Sequence, residues 1–273
     1  MNPEIDKPEL IIAMSCTENW YHYLMVDIYS LLECTKNVKK IYLLIETNNI
    51  DDVPYLKEIT QKYNNVEFKI IDLNEYLTKN LSENSPNRDT IYSNFSFGRL
   101  LLPDIVEEDK AIYIDTDAIV RKDISNIWKY DISNYYVAGV RDYGIIADNI
   151  INIYDITGKY INSGFVVFNL KKIREDNIKE KWFKLINEIK LVYPDQDALN
   201  IVCQHSEKYI PSMYNSCEYA GDRITMEPVN KELIKVYHYA GPKEYWVADR
   251  LYGEEWYDAE EHFYNEFGWN KDE

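Results

Sequence analysis

The sequence contains few cysteines and no recognisable signal for secretion. Its 273 residues include four cysteines, none in a CxxC pair: Cys16, Cys34, Cys203 and Cys217. Thiols this sparse and scattered do not build a disulfide framework, so we expect them to be reduced. The N-terminal segment MNPEIDKPEL lacks the basic and apolar regions of a signal peptide. Both observations favour a cytoplasmic location.

Long apolar runs and an excess of positive charge are also missing. No run approaches the roughly 20 apolar residues that a membrane-spanning helix needs. The net charge is −17, and a surface field of that sign repels nucleic acid and anionic lipid. We therefore expect no nucleic-acid partner and at most peripheral membrane contact. An anionic ligand would need a local cation.

The first half of the chain alternates short apolar runs with segments of helical spacing. The predicted strands are 10–14, 41–45, 66–71 and 111–114, and the predicted helices are 20–32, 53–63 and 93–102, the last ended by Pro103. This alternation is typical of an α/β fold with a mainly parallel sheet and helices on both faces.

The second half is less regular, and no repeat or Pro/Gly-rich linker divides the chain. Its predicted strands are 135–140, 165–168 and 236–239, and its predicted helices are 176–191 and 195–202. We predict a single domain over residues 1–246. The acidic, aromatic-rich residues 247–273 would be an extension packed on it, or would form a partner or acceptor surface.

Two carboxylates follow the fourth predicted strand, in the stretch YIDTDAIV. Asp115 and Asp117 share a face in extended backbone, because side chains two residues apart point the same way. Ligands on parallel sheets bind at the carboxyl ends of the strands. Paired carboxylates there suit Mg²⁺ or Mn²⁺ bridging to phosphate oxygens. The alternative is an ordinary strand-to-turn transition, where Asp is common.

A histidine, a glycine and a lysine come together in the stretch VYHYAGPKEYW. His238 could be a metal ligand, and Lys243 could pair with a phosphate group. Gly241 could allow the backbone to approach a ligand closely. The alternatives are a hydrogen-bonded core histidine and a solvated lysine.

Polar residues elsewhere could bind a sugar. Asn162 in INSGFVVFNL could present its amide at the sheet edge, or could belong to a turn before a buried strand. Asp195 and Gln196 in YPDQDALN supply an acceptor and an amide, as sugar hydroxyls require. Asp195 or Asp197 could instead be a helix N-cap.

Other polar residues could bind a nucleotide. Thr17 and Asn19, after the first strand, could hold a base or ribose, although Asn19 could also cap the next helix. Arg99 could pair with carboxylates and phosphates, or could be an exposed helix residue.

Taken in order, these segments resemble the retaining glycosyltransferases of family 8, which include bacterial lipopolysaccharide galactosyl- and glucosyltransferases and glycogenin. The resemblance extends roughly over residues 10–246. It is carried by the loop with Asn19, the helix with Arg99, YIDTDAIV, NSGFVVFNL, DQDALN and HYAGPKEYW. It implies a GT-A type nucleotide-sugar-binding α/β domain.

The resemblance also implies roles for individual residues. Asp115, Asp117 and His238 would bind Mn²⁺ or Mg²⁺, which holds the diphosphate of a UDP-sugar. The implied nucleotide-sugar contacts are Ser15, Thr17, Asn19, Arg99, Asp115, Thr116, Asn162, Gly241 and Lys243. The implied catalytic residues are Arg99, Asp142, Asp195 and Gln196. Because an amide is a poor nucleophile, Gln196 favours a front-face reaction assisted by the leaving phosphate.

The chain departs from the family pattern at two places. Thr17 stands where the family usually has Asp. The family's HxxGxxKPW reads HYAGPKEYW here, so Lys243 comes one residue early and Glu244 takes the usual Lys position. Either Lys243 reaches the diphosphate by a changed loop path, or that contact is weaker.

The implied activity is metal-dependent retaining transfer of glucose or galactose from a UDP-sugar to an acceptor hydroxyl. The acceptor would be a cell-surface glycan, a lipid-linked glycan or a glycoprotein. One alternative is a non-catalytic sugar-nucleotide or glycan-binding protein. Another is a phosphatase that uses the first Asp of a DxD motif, although such enzymes have that motif nearer the N-terminus.

Overall fold

A computed structural model describes residues 9–88, 90–144, 149–219, 223–224, 229–240 and 253–268. Its strands are β1 Leu10–Ser15, β2 Val38–Ile45, β3 Glu67–Asp72, β4 Lys110–Ile114, β5 Ala118–Val120, β6 Val137–Arg141, β7 Ile161–Asn169, β8 Glu207–Tyr209, β9 Ser216–Tyr219, β10 Arg223–Ile224 and β11 Val236–His238. Its α-helices are α1 Tyr21–Cys34, α2 Leu56–Lys62, α3 Leu73–Asn80, α4 Gly98–Ile105, α5 Ile150–Ile153, α6 Leu170–Glu175, α7 Ile178–Glu188, α8 Pro194–Val202 and α9 Gly253–Phe267.

The large sheet has the strand order β3-β2-β1-β4-β7-β6-β8. Neighbouring strands run parallel from β3 to β4 and again between β6 and β8. Strand β7 is antiparallel to both β4 and β6. The prediction of a mainly parallel sheet is confirmed, with one antiparallel strand, β7, between β4 and β6.

Each face of the large sheet carries its own apolar core. Ile12 and Met14 of β1 pack into the core that includes residues of α1 and α9. Ile11 and Ala13 pack into the core that includes residues of α4, α7 and α8. Because successive side chains of a strand point to opposite faces, a strand buried on both faces is apolar throughout. Helices therefore cover both faces, as predicted.

Several predicted boundaries differ from the structure. Pro103 does not end its helix, because it lies in the last turn of α4, where Val106 N–H still donates to the Leu102 carbonyl. The predicted strand 165–168 begins earlier, at Ile161. Asn162 and Gly164 therefore lie inside a strand rather than in a turn before it.

A small second sheet brings a distant segment to the end of β4. Its strand order is β10-β9-β11-β5. Strand β11 is antiparallel to β5, with His238 opposite Ala118, and parallel to β9, with His238 opposite Cys217. This pairing fixes His238 next to the residues that precede β5.

Helix α9 packs against α1 through aromatic side chains. The rings of Trp256 and Tyr23 are 5.2 Å apart, and those of Phe263 and Tyr29 are 5.8 Å apart. The predicted division after residue 246 falls outside the described residues. Among the described helices, none is both long and apolar enough to cross a membrane.

Candidate functional site

Two aspartates and one histidine meet where the two sheets join. Asp115 follows β4, Asp117 precedes β5, and His238 ends β11. His238 Nε2 lies 3.1 Å from Asp117 Oδ1 and 3.9 Å from Asp115 Oδ2. One ligand atom from each of the three residues lies within 4.8 Å of the others. Two carboxylates and an imidazole are a donor set that fits a divalent cation such as Mn²⁺.

The ring of His238 is held from its other nitrogen. His238 is 3 % exposed, and its Nδ1 lies 2.9 Å from Asn215 Oδ1. Burial opposes protonation of the ring, but Cys217 and Asp117 outweigh burial and hold the pKa of His238 well above its usual range. No local sequence pattern points to Asn215, which lies 23 residues before its partner His238.

Arg99 joins this cluster to a second group of polar residues. Its guanidinium forms two hydrogen bonds with Asp115, of 2.6 and 3.2 Å, and its Nε lies 3.1 Å from Asp195 Oδ2. The guanidinium also lies over the Tyr113 ring, 4.5 Å from its centroid. Arg99 is only 4 % exposed, so the alternative of an exposed helix residue is wrong.

Asp115 carries a carboxyl group with an unusual pKa. Burial raises the pKa of Asp115 above its usual value, and the charge of Asp117 raises it further, whereas Arg99 lowers it. When His238 gives up its proton to bind a cation, the carboxyl groups of Asp115, Asp117 and Asp195 face the single positive charge of Arg99, which leaves excess negative charge in a buried place. A divalent cation would offset this charge.

Residues of β7 and α8, together with Asp142 after β6, form the second polar group. Asp142 Oδ2 accepts hydrogen bonds from Asn162 Nδ2, at 3.1 Å, and from Gln196 Nε2, at 3.2 Å. Gln196 Oε1 accepts from Ser163 N–H at 2.8 Å. Ser163 Oγ donates to Asp195 Oδ2 at 3.2 Å. All five residues are buried, so the group is a preformed set of donors and acceptors.

The start of α8 determines where Asp195 and Gln196 lie. Pro194 occupies the first turn, where its missing N–H costs no helical hydrogen bond. Asp197 accepts from the N–H groups of Val192, at 2.9 Å, and Tyr193, at 2.8 Å. Asp197 thus stabilises the start of the helix, and Asp195 is left to pair with Arg99 and Ser163.

The loop after β1 lies at the same end of the large sheet. Thr17 precedes a 3-10 turn, Glu18–Trp20, which includes the exposed residue Asn19. Asn19 does not cap α1, whose N-cap residue is Trp20. Glu46, which the sequence did not single out, follows β2 and accepts a hydrogen bond from Glu18 N–H. An acidic side chain therefore lies beside Thr17.

The remaining predicted site residues differ in accessibility. Ser15 is buried, and its hydroxyl donates to the Phe95 carbonyl and bonds the Tyr113 hydroxyl, so its side chain faces the core. Thr116, between the two aspartates, is also buried. Gly241 and Lys243 lie outside the described residues.

Comparison with known proteins places this chain in a known family. The family model described as Glycosyl transferase family 8 matches residues 11–249. General stress protein A of Bacillus subtilis is 34% identical, with 72% of this chain and 70% of that protein covered. The lipopolysaccharide 1,2-glucosyltransferase of Escherichia coli is 26% identical, with 76% of this chain and 62% of that protein covered.

Solved structures with a similar fold are also found. The galactosyltransferase LgtC, crystallised with donor and acceptor sugar analogs, superposes with a TM-score of 0.74 at 20% identity. The match covers 93% of this chain and 96% of LgtC. This likeness confirms the expected GT-A type fold. Since the family model spans most of the sequence, the chain belongs to glycosyltransferase family 8.

Proposed function

We propose that the chain transfers a hexose, glucose or galactose, from a UDP-sugar to an acceptor hydroxyl with retention at the anomeric carbon. The observation that carries this proposal is the meeting of Asp115, Asp117 and His238 beside the Arg99–Asp195 pair. It joins a donor set for a cation to a set of buried hydrogen-bonding groups suited to a sugar.

Asp115, Asp117 and His238 would hold Mn²⁺, or Mg²⁺. When bound, the ion supplies positive charge to the diphosphate that departs from the sugar. The excess of carboxyl groups over basic groups around Asp115 supports this role. Arg99 keeps Asp115 in place through its two hydrogen bonds, so the carboxylate is oriented before any ligand arrives.

Residues of the second polar group would bind the donor sugar. Asp195, Gln196, Asp142 and Asn162 offer carboxylate acceptors and amide groups, which match the mixed donor and acceptor character of sugar hydroxyls. The amide nitrogen of Gln196 already donates to Asp142. A neutral amide in this position supports a front-face reaction, in which the leaving phosphate assists the incoming hydroxyl, over attack by the enzyme.

The loop after β1 would bind the uridine. Thr17 and Asn19 lie at the carboxyl end of β1, where α/β sheets bind ligands. Ser15 and Thr116 would contribute backbone and packing contacts there, since both are buried. Glu46 would supply the acidic group that Thr17 lacks. Gly241 and Lys243 would approach the diphosphate, as their places in HYAGPKEYW imply.

The acceptor would be a glycan, a lipid-linked glycan or a glycoprotein, and the reaction would take place in the cytoplasm. The name of the Escherichia coli relative, a lipopolysaccharide glucosyltransferase, supports a glycan acceptor. Residues 1–246 would form the GT-A domain, with 247–273 as an extension. The packing of α9 on α1 supports that arrangement.

The test is turnover of UDP-glucose and UDP-galactose by Asp117→Asn while Mn²⁺ is titrated. We expect the half-saturating Mn²⁺ concentration to rise at least about tenfold, because one charged ligand is lost. Asp51→Asn, at an exposed residue paired with Lys57, is the control and should behave as wild type. Unchanged metal dependence of the Asp117 variant would contradict the proposal.

Two further assays separate the alternatives. Slow hydrolysis of the UDP-sugar without acceptor is expected of a transferase and not of a binding protein. Release of phosphate from p-nitrophenyl phosphate, with no UDP-sugar turnover, would support the phosphatase alternative instead.

A further inference from the structure

A series of buried side chains connects His238 with Gln196. His238 Nδ1 bonds Asn215 Oδ1 at 2.9 Å, and Asn215 Nδ2 donates to Asn162 Oδ1 at 2.8 Å. Asn162 Nδ2 donates to Asp142 Oδ2 at 3.1 Å, and Gln196 Nε2 donates to the same oxygen at 3.2 Å. We call Asn215, Asn162 and Asp142 the amide relay. The amide relay joins His238, one of the proposed cation ligands, to Gln196, one of the residues proposed to bind the donor sugar.

The direction of each hydrogen bond in the amide relay is fixed. Asn162 Oδ1 accepts from Gly164 N–H at 2.9 Å, and its Nδ2 faces a carboxylate, which only accepts. Asn215 must therefore turn its NH₂ group toward Asn162 and its oxygen toward His238. An amide oxygen only accepts, so His238 Nδ1 carries the proton of that bond.

This proton determines what the other nitrogen of His238 can do. In a neutral imidazole one nitrogen donates and the other carries a lone pair. When a cation displaces the proton of Nε2, the proton that stays on Nδ1 leaves the lone pair on Nε2, which lies near Asp115 and Asp117. A hydrogen bond from the far nitrogen is the usual way in which proteins orient a metal-binding histidine.

We propose that Asn215 is a positioning residue with two partners: it selects the tautomer of His238 that can bind a cation, and through Asn162 and Asp142 it couples that ligand to Gln196. The inference rests on the proposed function, since it requires a cation at His238. As a consequence, Asn215 determines both the orientation of His238 and the orientation of the side-chain amides of Asn162 and Gln196. Asn215 is fully buried, with 0 % exposure, so solvent cannot replace either hydrogen bond.

The first test is Asn215→Ala, measured by electron paramagnetic resonance of Mn²⁺ bound to the full chain without nucleotide. The variant removes the acceptor for Nδ1, and we expect Mn²⁺ affinity to fall about 10- to 100-fold, as for other lost partners of metal ligands. Asn87→Ala is the matched control. Asn87 is also fully buried, but its side chain bonds the backbone of Ile186, Ile189 and Leu191, away from the site. It should bind Mn²⁺ as wild type does.

The second test is Asn215→Asp, which separates the two partners. A carboxylate still accepts from His238 Nδ1, so we expect Mn²⁺ affinity equal to wild type or higher. The carboxylate cannot donate to Asn162, so the residues proposed to bind the donor sugar lose their connection to position 215. The ratio of the dissociation constants for UDP and for the UDP-sugar, measured with Mn²⁺ present, should fall toward one.

The outcomes distinguish this inference from the proposed function. Suppose that wild type binds Mn²⁺, and that both Asn215 variants match it in Mn²⁺ affinity and in the ratio of the dissociation constants for UDP and the UDP-sugar. The proposed role of Asn215 is then wrong, and the proposed function stands. If wild type binds no Mn²⁺, both are wrong. Should Asn215→Ala not fold, Asn215→Asp decides alone: a loss of Mn²⁺ affinity in that variant would overturn the tautomer assignment.

Discussion

The imidazole of His238 occupies the space that a side chain at Gly164 would need. A Cβ atom on Gly164 would lie 2.6 Å from Nδ1 and 2.8 Å from Nε2 of the ring. Glycine inside a strand weakens it, and often marks a close approach by another group. Here the approaching group is the ring of His238, which belongs to β11 in the other sheet. Gly164 therefore helps to set the position of the proposed metal ligand.

We predict that Gly164→Ala weakens Mn²⁺ binding at least about tenfold. The new methyl group displaces the ring, and the ring cannot move without losing its bond to Asn215. Overpacking should also lower the free energy of unfolding by about 1–3 kcal/mol. Electron paramagnetic resonance of Mn²⁺ measures the affinity, and urea denaturation measures the free energy of unfolding.

Gly139→Ala is the control for general overpacking. A Cβ on Gly139 would lie 2.8 Å from Cδ1 of Ile161, the flexible end of an aliphatic side chain. The free energy of unfolding of Gly139→Ala should fall by as much as that of Gly164→Ala, or by less, and its Mn²⁺ affinity should be unchanged. Equal losses of Mn²⁺ affinity in the two variants would show that overpacking, rather than contact with His238, is responsible.

Arg99→Lys should reduce kcat/KM for the UDP-sugar about 100-fold, the scale of one lost electrostatic contact in an active site. Lysine keeps the charge but cannot form two hydrogen bonds with Asp115 and at the same time an ion pair with Asp195. Arg174→Lys is the matched control. Arg174 is partly buried and bonds the backbone of Val106 and Glu108, before β4, so kcat/KM of this variant should stay within about twofold of wild type. Full activity of Arg99→Lys would show that only the charge matters.

Most elements of the first half could be predicted because their signals are local, although helix α3 was missed. The strands read as apolar runs because alternate residues, such as Ile12 and Ala13, enter different cores. The paired aspartates could be placed at the carboxyl end of β4 for the same reason. Their approach to His238 was implied by the family resemblance alone.

The contacts across the second sheet could not be predicted from local patterns. Strands β5 and β11 have three residues each, too few for a periodic signal. The antiparallel insertion of β7 between β4 and β6 depends on pairing between distant segments. Asn215 gives no sequence signal, since an asparagine before a short strand is ordinary until its partners are known.

Asp197 should make stability fall as pH rises between about 4 and 6. Burial raises the pKa of Asp197 to about 6, although hydrogen bonds from Tyr160 and two backbone N–H groups oppose this. An unfolded Asp titrates near a pKa of about 3.9. In this window the folded chain holds a proton that the unfolded chain has lost. Stability therefore falls by about 1.4 kcal/mol per pH unit, or about 3 kcal/mol in all.

The measurement is urea denaturation of wild type and Asp197→Asn from pH 4 to pH 7. The variant cannot titrate at this position, so the difference between the two unfolding free energies should change across the window and stay constant above it. A difference that does not depend on pH would show that Asp197 ionises normally in the folded protein.

Asp27 should also destabilise the apo protein at neutral pH. It lies on α1, is fully buried, and neither carboxyl oxygen has a hydrogen-bond partner in the described part of the chain. Burial raises the pKa of Asp27 well above its usual value, and the charges of Asp117 and Asp115 add to this, whereas His238 opposes it. The folded state therefore retains a proton that the unfolded state loses above a pKa of about 3.9.

We predict that Asp27→Asn is more stable than wild type at pH 7 and loses this advantage below about pH 4, where both side chains are neutral. The advantage should grow by about 1.4 kcal/mol per pH unit above the unfolded pKa, until the folded carboxyl itself ionises. Urea denaturation at several pH values measures it. Saturating Mn²⁺ should reduce the advantage, because a cation beside Asp115 and Asp117 offsets the negative charge that opposes ionisation of Asp27. An advantage that Mn²⁺ leaves unchanged would mean that burial alone determines the behaviour of Asp27.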